Sequence, residues 1–98
     1  FMERVKTYSK IDMYLSKTYK VIFHNDDKTT FEFVALCLMN IFDKSIIEAT
    51  DLTLAVDKNG FCIAGTGYTK DIAETKKSQV MELAKINGFP FQVSIEEE

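Results

Sequence analysis

Alternating apolar and polar positions mark the first regular element of the chain, a β-strand over residues 19–24. The strand runs directly into an Asn-Asp-Asp turn. After the turn, Thr29 and Glu32 have the spacing of a capping box, which predicts that a helix begins there. Apolar residues from Phe31 to Leu38 recur at helical spacing and give this helix one apolar face. The pattern therefore places a polar turn between two half-buried elements.

The middle of the chain predicts a second helix and a second strand. Ser45 and Glu48 form another capping box, and the helix that follows ends near Gly60, a residue suited to a helix C-terminus. The short apolar run over residues 61–65 predicts a strand. Gly65-Thr66-Gly67 then predicts either a turn or a β-bulge.

The C-terminal part of the chain predicts the longest helix and a last strand. The helix covers about residues 69–87, with Tyr68 or Thr69 as its N-terminal cap and a Gly just after its end. A strand with alternating apolar residues follows over residues 91–95, before the acidic residues 96–98. The residues predicted on the inner side of the long helix are Ile72, Thr75, Lys76, Gln79, Val80, Leu83 and Ala84.

The element order β-α-α-β-α-β predicts an α+β fold. We expect one domain over residues 19–98, with about three helices layered on one face of a small, mainly antiparallel sheet. Residues 1–18 show no sustained period and are predicted to be a flexible N-terminal extension. Cys37 and Cys62 lie within apolar patterns, without metal or disulfide spacing, and are interpreted as buried small hydrophobes.

Charge and composition narrow the classes of function. The 98 residues carry a net charge of −3, and the lysines are scattered, which argues against a nucleic-acid surface. No stretch approaches the ~18 consecutive apolar residues that a membrane span needs, so no membrane partner is predicted. The sequence also predicts no cofactor.

The turn Asn25-Asp26-Asp27 is the main candidate for chemistry, because it carries three acceptor-rich side chains beside an apolar helix. The residues alone leave three interpretations open. The side chains stabilise a plain turn, bind a divalent metal, for which the carboxylate spacing is poor, or accept hydrogen bonds from an organic ammonium group. His24, the single histidine, is expected to form an ordinary hydrogen bond rather than to belong to a catalytic triad.

Several motifs resemble, in the same order, those of the ClpS adaptor family over about residues 19–97. The matching residues are Tyr19-Lys20-Val21-Ile22, Asn25-Asp26-Asp27, Thr29, Glu32-Phe33-Val34, Leu54-Ala55-Val56, Gly60, Ile72-Ala73-Glu74-Thr75-Lys76 and Pro90. The resemblance implies the ClpS fold and a non-enzymatic adaptor of the N-end rule, or N-degron, pathway. Such an adaptor binds proteins whose first residue is Leu, Phe, Tyr or Trp. It delivers them to a ClpA- or ClpC-type AAA+ unfoldase, coupled to the ClpP protease, for degradation.

The resemblance also implies roles for individual residues. The residues implied to bind the α-amino group of the substrate are Asn25, Asp26 and Asp27, with Asp57 at the position where the family usually has His. The residues implied to form the pocket for the first side chain are Thr29, Phe31, Val34, Thr53, Val56 and Phe91. The residues implied to contact the unfoldase are Asp71, Glu74 and Lys76. The resemblance implies neither a metal nor a cofactor.

Departures from the family pattern affect the site. Asp57 replaces the usual His, and Phe31 and Thr53 replace residues that are commonly Met, so the pocket is expected to differ in shape. Residues 65–68 form a turn one residue longer than usual. Asp57 can accept a hydrogen bond as His does, but it adds a negative charge. We therefore expect the carboxylates of the site to raise one another's pKa.

Three further expectations accompany this interpretation. The alternative function is that of a small metal-binding or hydrolytic protein that uses the Asn25-Asp26-Asp27 cluster. Phe1 is the kind of first residue that the family binds, so docking of Phe1 into the pocket of another copy is a predicted route to self-association. The bacterial cytoplasm is the expected location, with the plastid stroma or apicoplast, after removal of a transit peptide, as the alternative.

Overall fold

The computed structural model describes residues 17–98, which form three strands and three helices. The elements, in chain order, are β1 (Tyr19–His24), α1 (Phe31–Asn40), α2 (Ile46–Asn59), β2 (Phe61–Tyr68), α3 (Lys70–Ile86) and β3 (Gln92–Glu97). This order confirms the predicted α+β fold. The predicted extension over residues 1–18, including Phe1, lies outside the described residues except for Lys17 and Thr18. Within the described part of the chain, no helix is long and apolar enough to cross a membrane.

The sheet has β1 at its centre, in the order β2-β1-β3, and both strand pairs are antiparallel. Val21 and Phe23 are fully buried on the side that carries the helices. On the other side, His24 Nε2 and Ser94 Oγ of β3 lie 2.7 Å apart in a hydrogen bond. His24 therefore forms the ordinary hydrogen bond that was expected of it.

Aromatic rings fill the core between the sheet and the helices. Phe23 packs edge-to-face against Phe42 and Phe91, with ring centroids 5.4 Å and 5.0 Å apart. Cys37 and Cys62 are both buried, as predicted, and burial raises the pKa of each thiol to about 11. Both thiols therefore remain protonated at neutral pH.

The N-terminal cap of α1 is one residue later than predicted. Thr30 Oγ1 accepts a hydrogen bond from the backbone N–H of Phe33 (3.3 Å), so Thr30 is the cap. Thr29 instead donates its hydroxyl to the preceding turn. The capping box at the start of α2 is confirmed, because Ser45 and Glu48 exchange two hydrogen bonds of 3.1 Å.

β2 continues beyond its predicted end at residue 65. Its pairing with β1 shifts register twice near Val21, which supports the β-bulge interpretation of the Gly-Thr-Gly segment over the turn. Gly65 lies directly against the Tyr68 ring, where there is no space for a Cβ atom. The strand therefore reaches Tyr68, and Thr69 caps α3.

The buried stripe of α3 differs from the predicted one. Ala73, Val80 and Ala84 are buried against the sheet, whereas Ile72 is 47% exposed and Leu83 is 41% exposed. Thr75 and Gln79, also predicted inside, are exposed. The small alanine side chains let the helix approach the strands closely, and this excludes the larger apolar residues beside them.

The C-terminus is tied to the start of β1. Glu98 donates its N–H to the carbonyl oxygen of Thr18 (2.9 Å), and its carboxylate accepts from the N–H of Gly67 (2.8 Å). Glu97 belongs to β3 and pairs with Lys17 at 3.5 Å. Glu96 and Glu97 thus belong to β3, and Glu98 is hydrogen-bonded beside the sheet.

Candidate functional site

The turn after β1 is organised by the side chain of Asp26. Its Oδ1 accepts hydrogen bonds from the backbone N–H groups of Lys28 (2.8 Å) and Thr29 (2.7 Å). Its Oδ2 accepts from the Thr29 hydroxyl (2.7 Å). Burial raises the pKa of Asp26, but the hydrogen bonds from Thr29 and Lys28, with the Lys28 charge, outweigh that effect and lower it. The expected rise in pKa is therefore wrong for Asp26.

A backbone hydrogen bond joins this turn to the end of α2. The N–H of Asn25 donates to the carbonyl oxygen of Gly60 at 2.9 Å. Gly60 caps α2 in the left-handed conformation, with φ of 90°, which glycine adopts without steric cost. Asn25 at the end of β1 and Asp57 in the last turn of α2 consequently line the same cavity.

This binding cavity has a volume of about 280 Å³ and lies between the turn, the start of α1 and the C-terminal half of α2. Its lining residues are Asn25, Asp26, Asp27, Thr29, Thr30, Phe31, Val34, Thr53, Val56 and Asp57. All residues predicted for the amine site and the side-chain pocket are brought together here except Phe91. Phe91 is 1% exposed, packs against Phe23 and Phe33 in the core, and does not line this cavity.

The binding cavity has an apolar side formed by residues of α1 and α2. Val34 of α1 and Val56 of α2 are buried, and Phe31 at the start of α1 is 42% exposed beside them. Thr30 also lines the cavity, although the sequence interpretation did not include it. Its capping role could have been found by comparing Thr29 and Thr30 as alternative caps.

The acceptor rim of the cavity consists of Asn25, Asp27 and Asp57, whose side chains are all exposed. Asp57 lies in the last turn of α2, where the helix dipole adds partial negative charge. Asp26 contributes its ionised carboxylate from within the turn. The rim therefore favours a cationic group that donates several hydrogen bonds.

The three residues predicted to contact the unfoldase all lie in the first half of α3. Asp71 and Glu74 are exposed in the first turns of α3. Lys76 is half-buried, and its Nζ donates to the carbonyl oxygen of Ile41 at 2.6 Å. The ammonium also lies 5.4 Å from the Phe42 ring centroid and 5.5 Å from that of Tyr68. Lys76 thus holds α3 to the end of α1, and it also lines a surface cavity together with Asp71. Its contact with the unfoldase stays a prediction.

A larger cavity, of about 390 Å³, lies between α1 and the end of α3. Leu36, Leu83 and Phe89 line much of it, with Glu32 as the one charged residue. It includes other polar residues and the C-terminal ends of two helices, but Glu32 is its single carboxylate, whereas three carboxylates line the smaller cavity. Its size therefore does not make it the better candidate for binding a cation.

The part of the chain that the structure describes contains no group of side chains arranged to bind a metal ion. Among residues 17–98, no three or more His, Cys, Asp or Glu side chains are grouped so as to hold a metal ion. The fold and the site instead define a small α+β binding domain. Its cavity offers acceptors for a cationic group beside an apolar side.

Proteins that are similar to this chain in sequence and in fold identify its family. A family model described as "ATP-dependent Clp protease adaptor protein ClpS" matches residues 15–94. The ATP-dependent Clp protease adapter protein ClpS of Clostridium acetobutylicum is 46% identical over 97 residues, which cover 99% of this chain and 93% of that protein. The ClpS of Campylobacter jejuni is 41% identical over 97 residues, with 99% and 100% coverage.

A solved structure gives the same result. The structure of Agrobacterium tumefaciens ClpS2 bound to L-phenylalaninamide matches with a TM-score of 0.79 and 34% identity, covering 84% of this chain and 98% of that chain. The present chain belongs to the ClpS family. It is an adaptor of the Clp protease rather than an enzyme, and its partners are that protease and its substrates.

Proposed function

We propose that this adaptor binds proteins through a free N-terminal α-amino group and a bulky hydrophobic first side chain (Phe, Leu, Tyr or Trp), and delivers them to a Clp AAA+ unfoldase. The observation that carries the proposal is the binding cavity, where an acceptor rim adjoins an apolar wall. The Agrobacterium tumefaciens relative, which is bound to L-phenylalaninamide, supports it. That ligand has a free amino group next to a benzyl side chain.

The acceptor rim suits an α-ammonium group for two reasons. An ammonium offers three hydrogen-bond donors and no acceptor, and Asn25, Asp27 and Asp57 bring side chains with acceptor oxygens to the same cavity. Hydrogen bonds to charged groups are also stronger than neutral ones, at about 1.5–3 kcal/mol each. A free N-terminus therefore gains binding energy that an internal peptide segment lacks.

The apolar wall suits the first side chain. Val34 and Val56 are buried and rigid, and Phe31 covers the cavity from the start of α1. Transfer of a Phe or Leu side chain from water into such a site contributes roughly 1.5–3 kcal/mol. A small or charged first side chain gains little there, so the pocket favours large apolar residues.

A peptide panel tests the proposal. Labelled peptides that differ only in the first residue are titrated with the protein by fluorescence anisotropy, each with a free and an Nα-acetylated terminus. We expect free Phe, Leu, Tyr and Trp peptides to bind, and acetylation to weaken binding at least tenfold because it removes the charge. Equal binding of free and acetylated peptides would show that the proposal is wrong.

Two carboxylates of α2 provide a matched pair of variants. Asp57→Asn keeps an acceptor in the rim but removes its charge, and we expect about tenfold weaker peptide binding. Asp51→Asn removes an equally exposed charge of the same helix outside the cavity, and we expect a change of less than about twofold. Equal effects of the two substitutions would leave only a general charge attraction.

Delivery requires a second surface. Asp71 and Glu74 support such a surface because both are exposed at the start of α3, away from the binding cavity. The proposed partner is a ClpA- or ClpC-type unfoldase working with ClpP.

A further inference from the structure

Thr53 is an unusual residue in the wall of the binding cavity. It is 3% exposed and is the sole buried polar side chain within residues 17–98. Its hydroxyl donates to the carbonyl oxygen of Ala49 at 2.7 Å. A hydroxyl has one proton to donate and two lone pairs that accept. Because the proton is used within α2, Thr53 can interact with a ligand in the cavity only as an acceptor.

The position of Thr53 along α2 matches the length of a particular side chain. Thr53 and Asp57 are one helical turn apart on the same face, a separation of about 6 Å along the helix axis. Asp57 belongs to the acceptor rim, at the proposed position of the ligand's amino group. A tyrosine whose amino group lies at this rim extends its phenolic oxygen about one helical turn further, toward Thr53.

We propose that Thr53 makes this pocket select tyrosine over phenylalanine as the first residue of the substrate. The inference rests on the proposed function, because it assigns a preference within the same site. The phenol O–H of tyrosine donates to Thr53 Oγ1. Phenylalanine has the same ring but no donor, so it covers that oxygen without bonding to it.

The physical basis of the preference is the cost of burying an unpaired polar group. A pocket that hydrogen-bonds a ligand hydroxyl disfavours the analogue without it, because water is displaced from the acceptor and is not replaced. Thr53 retains its bond to Ala49 in both complexes, so the cost is that of one unused acceptor position. We therefore expect tyrosine-starting peptides to bind about fivefold more tightly than phenylalanine-starting ones.

The chain contains a close control for this residue. Thr50 lies one turn earlier in α2 and donates its hydroxyl to the carbonyl oxygen of Ile46 at 2.7 Å, which is the same local hydrogen bond. Thr50 does not line the binding cavity. Thr53→Val and Thr50→Val therefore remove the same group and the same intrahelical bond, inside and outside the cavity.

The test measures the ratio of dissociation constants for peptides that begin with Phe and with Tyr and are otherwise identical. A peptide that begins with 4-methylphenylalanine has the size of the tyrosine peptide without its donor. We expect a Phe-to-Tyr ratio of about five for the native protein, the Thr50→Val variant and the Thr53→Ser variant, which keeps a hydroxyl. We expect a ratio near one for Thr53→Val. Thermal unfolding of each variant verifies that it is folded.

Each other outcome overturns the inference in a recognisable way. A ratio near one in the native protein, or an unchanged ratio in Thr53→Val, shows that Thr53 does not select tyrosine. Binding of the 4-methylphenylalanine peptide as tightly as the tyrosine peptide shows that size, and not the donor, sets the preference. In all of these cases the proposed function stands. If no peptide with a free amino group binds, the proposed function and the inference are both wrong.

Discussion

In the turn after β1, one residue stabilises the turn and its neighbours line the cavity. Asp26 uses its carboxylate to bind Lys28 and Thr29 and so shapes the turn. Asn25 and Asp27 are exposed beside it and line the cavity. The plain-turn interpretation therefore describes Asp26, while Asn25 and Asp27 are the residues proposed to bind an ammonium group.

The lowered pKa of Asp26 predicts how the stability of the fold depends on pH. A carboxyl whose pKa is lower in the folded state stabilises that state above its unfolded pKa, about 3.9, and the contribution is lost as the pH falls through the folded value. We expect Asp26→Asn to reduce the free energy of unfolding by about 1 kcal/mol at pH 7. As the pH falls from the unfolded pKa toward pH 2, the difference in the free energy of unfolding between the native protein and the variant should decrease.

Urea unfolding at pH 7 and pH 2 tests this prediction, with Asp27→Asn as the control for an adjacent exposed carboxylate. We expect the control to change the free energy of unfolding by less than about 0.5 kcal/mol at either pH. A difference between native protein and Asp26→Asn that stays constant between pH 7 and pH 2 would contradict the prediction.

At the scale of elements, Lys76 connects α3 to the C-terminal end of α1. α1 has no basic residue in its last turn, and Lys76 of α3 supplies a cation to its terminal carbonyl at Ile41. We expect Lys76→Met to destabilise the fold by about 1–2 kcal/mol, because the carbonyl loses its donor and the Phe42 and Tyr68 rings lose a cation. Urea unfolding at neutral pH measures this loss.

Lys77→Met is the control for this prediction, since it removes the neighbouring charge from the same helix. We expect it to change the free energy of unfolding by less than about 0.5 kcal/mol. Equal stability of the two variants would show that the contact of Lys76 with α1 contributes nothing. A loss of unfoldase binding in Lys76→Met should be judged only after its stability has been measured.

The sequence predicted the order and the ends of the helices and strands better than it predicted which side of each helix is buried. Capping residues and periodicity are local signals, so the order of elements and the ends of α2 followed from residues such as Ser45 and Gly60. The inner face of α3 did not follow, because Ala73 is buried for its small size while the more hydrophobic Ile72 is exposed. The partner of Lys76 was also out of reach, since Ile41 is distant in sequence.

Most residues of the candidate site could be predicted from the sequence, but their contacts could not. The residues of the turn, α1 and α2 that line the cavity belong to recognisable motifs, and they meet because the backbone bond from Asn25 to Gly60 joins these motifs. Phe91 was placed in the pocket by family resemblance, and the sequence alone does not show which way its ring turns. The ring packs into the core beside Phe23, a contact that depends on the folded sheet.

In the whole molecule, the two proposed surfaces lie toward opposite ends of the sheet. The binding cavity adjoins the His24 end of β1, and α3 begins just after Tyr68, which pairs with Tyr19 at the other end. The length of β1 separates these ends by roughly 17 Å. On the proposed function, we therefore expect the first residue of a substrate and the unfoldase to occupy different parts of the adaptor.

Binding of the adaptor to a ClpA- or ClpC-type N-terminal domain tests this separation. We expect Asp71→Lys combined with Glu74→Lys to weaken unfoldase binding at least tenfold and to change Phe-peptide binding by less than about twofold. Glu82→Lys, an exposed charge reversal further along α3, is the control and should affect neither. Loss of unfoldase affinity on saturation with Phe peptide would contradict the separation of the two surfaces.

The backbone bond between Asn25 and Gly60 has a consequence for the kinetics of substrate exchange. Because main-chain atoms fix the distance between the turn and α2, the cavity is preorganised and little chain ordering remains to be done when a substrate arrives. Encounter should then proceed at similar rates for all substrates that present a free N-terminus. Substrates with different first residues should differ in residence time, so the dissociation rate would decide which of them remain bound long enough to be transferred.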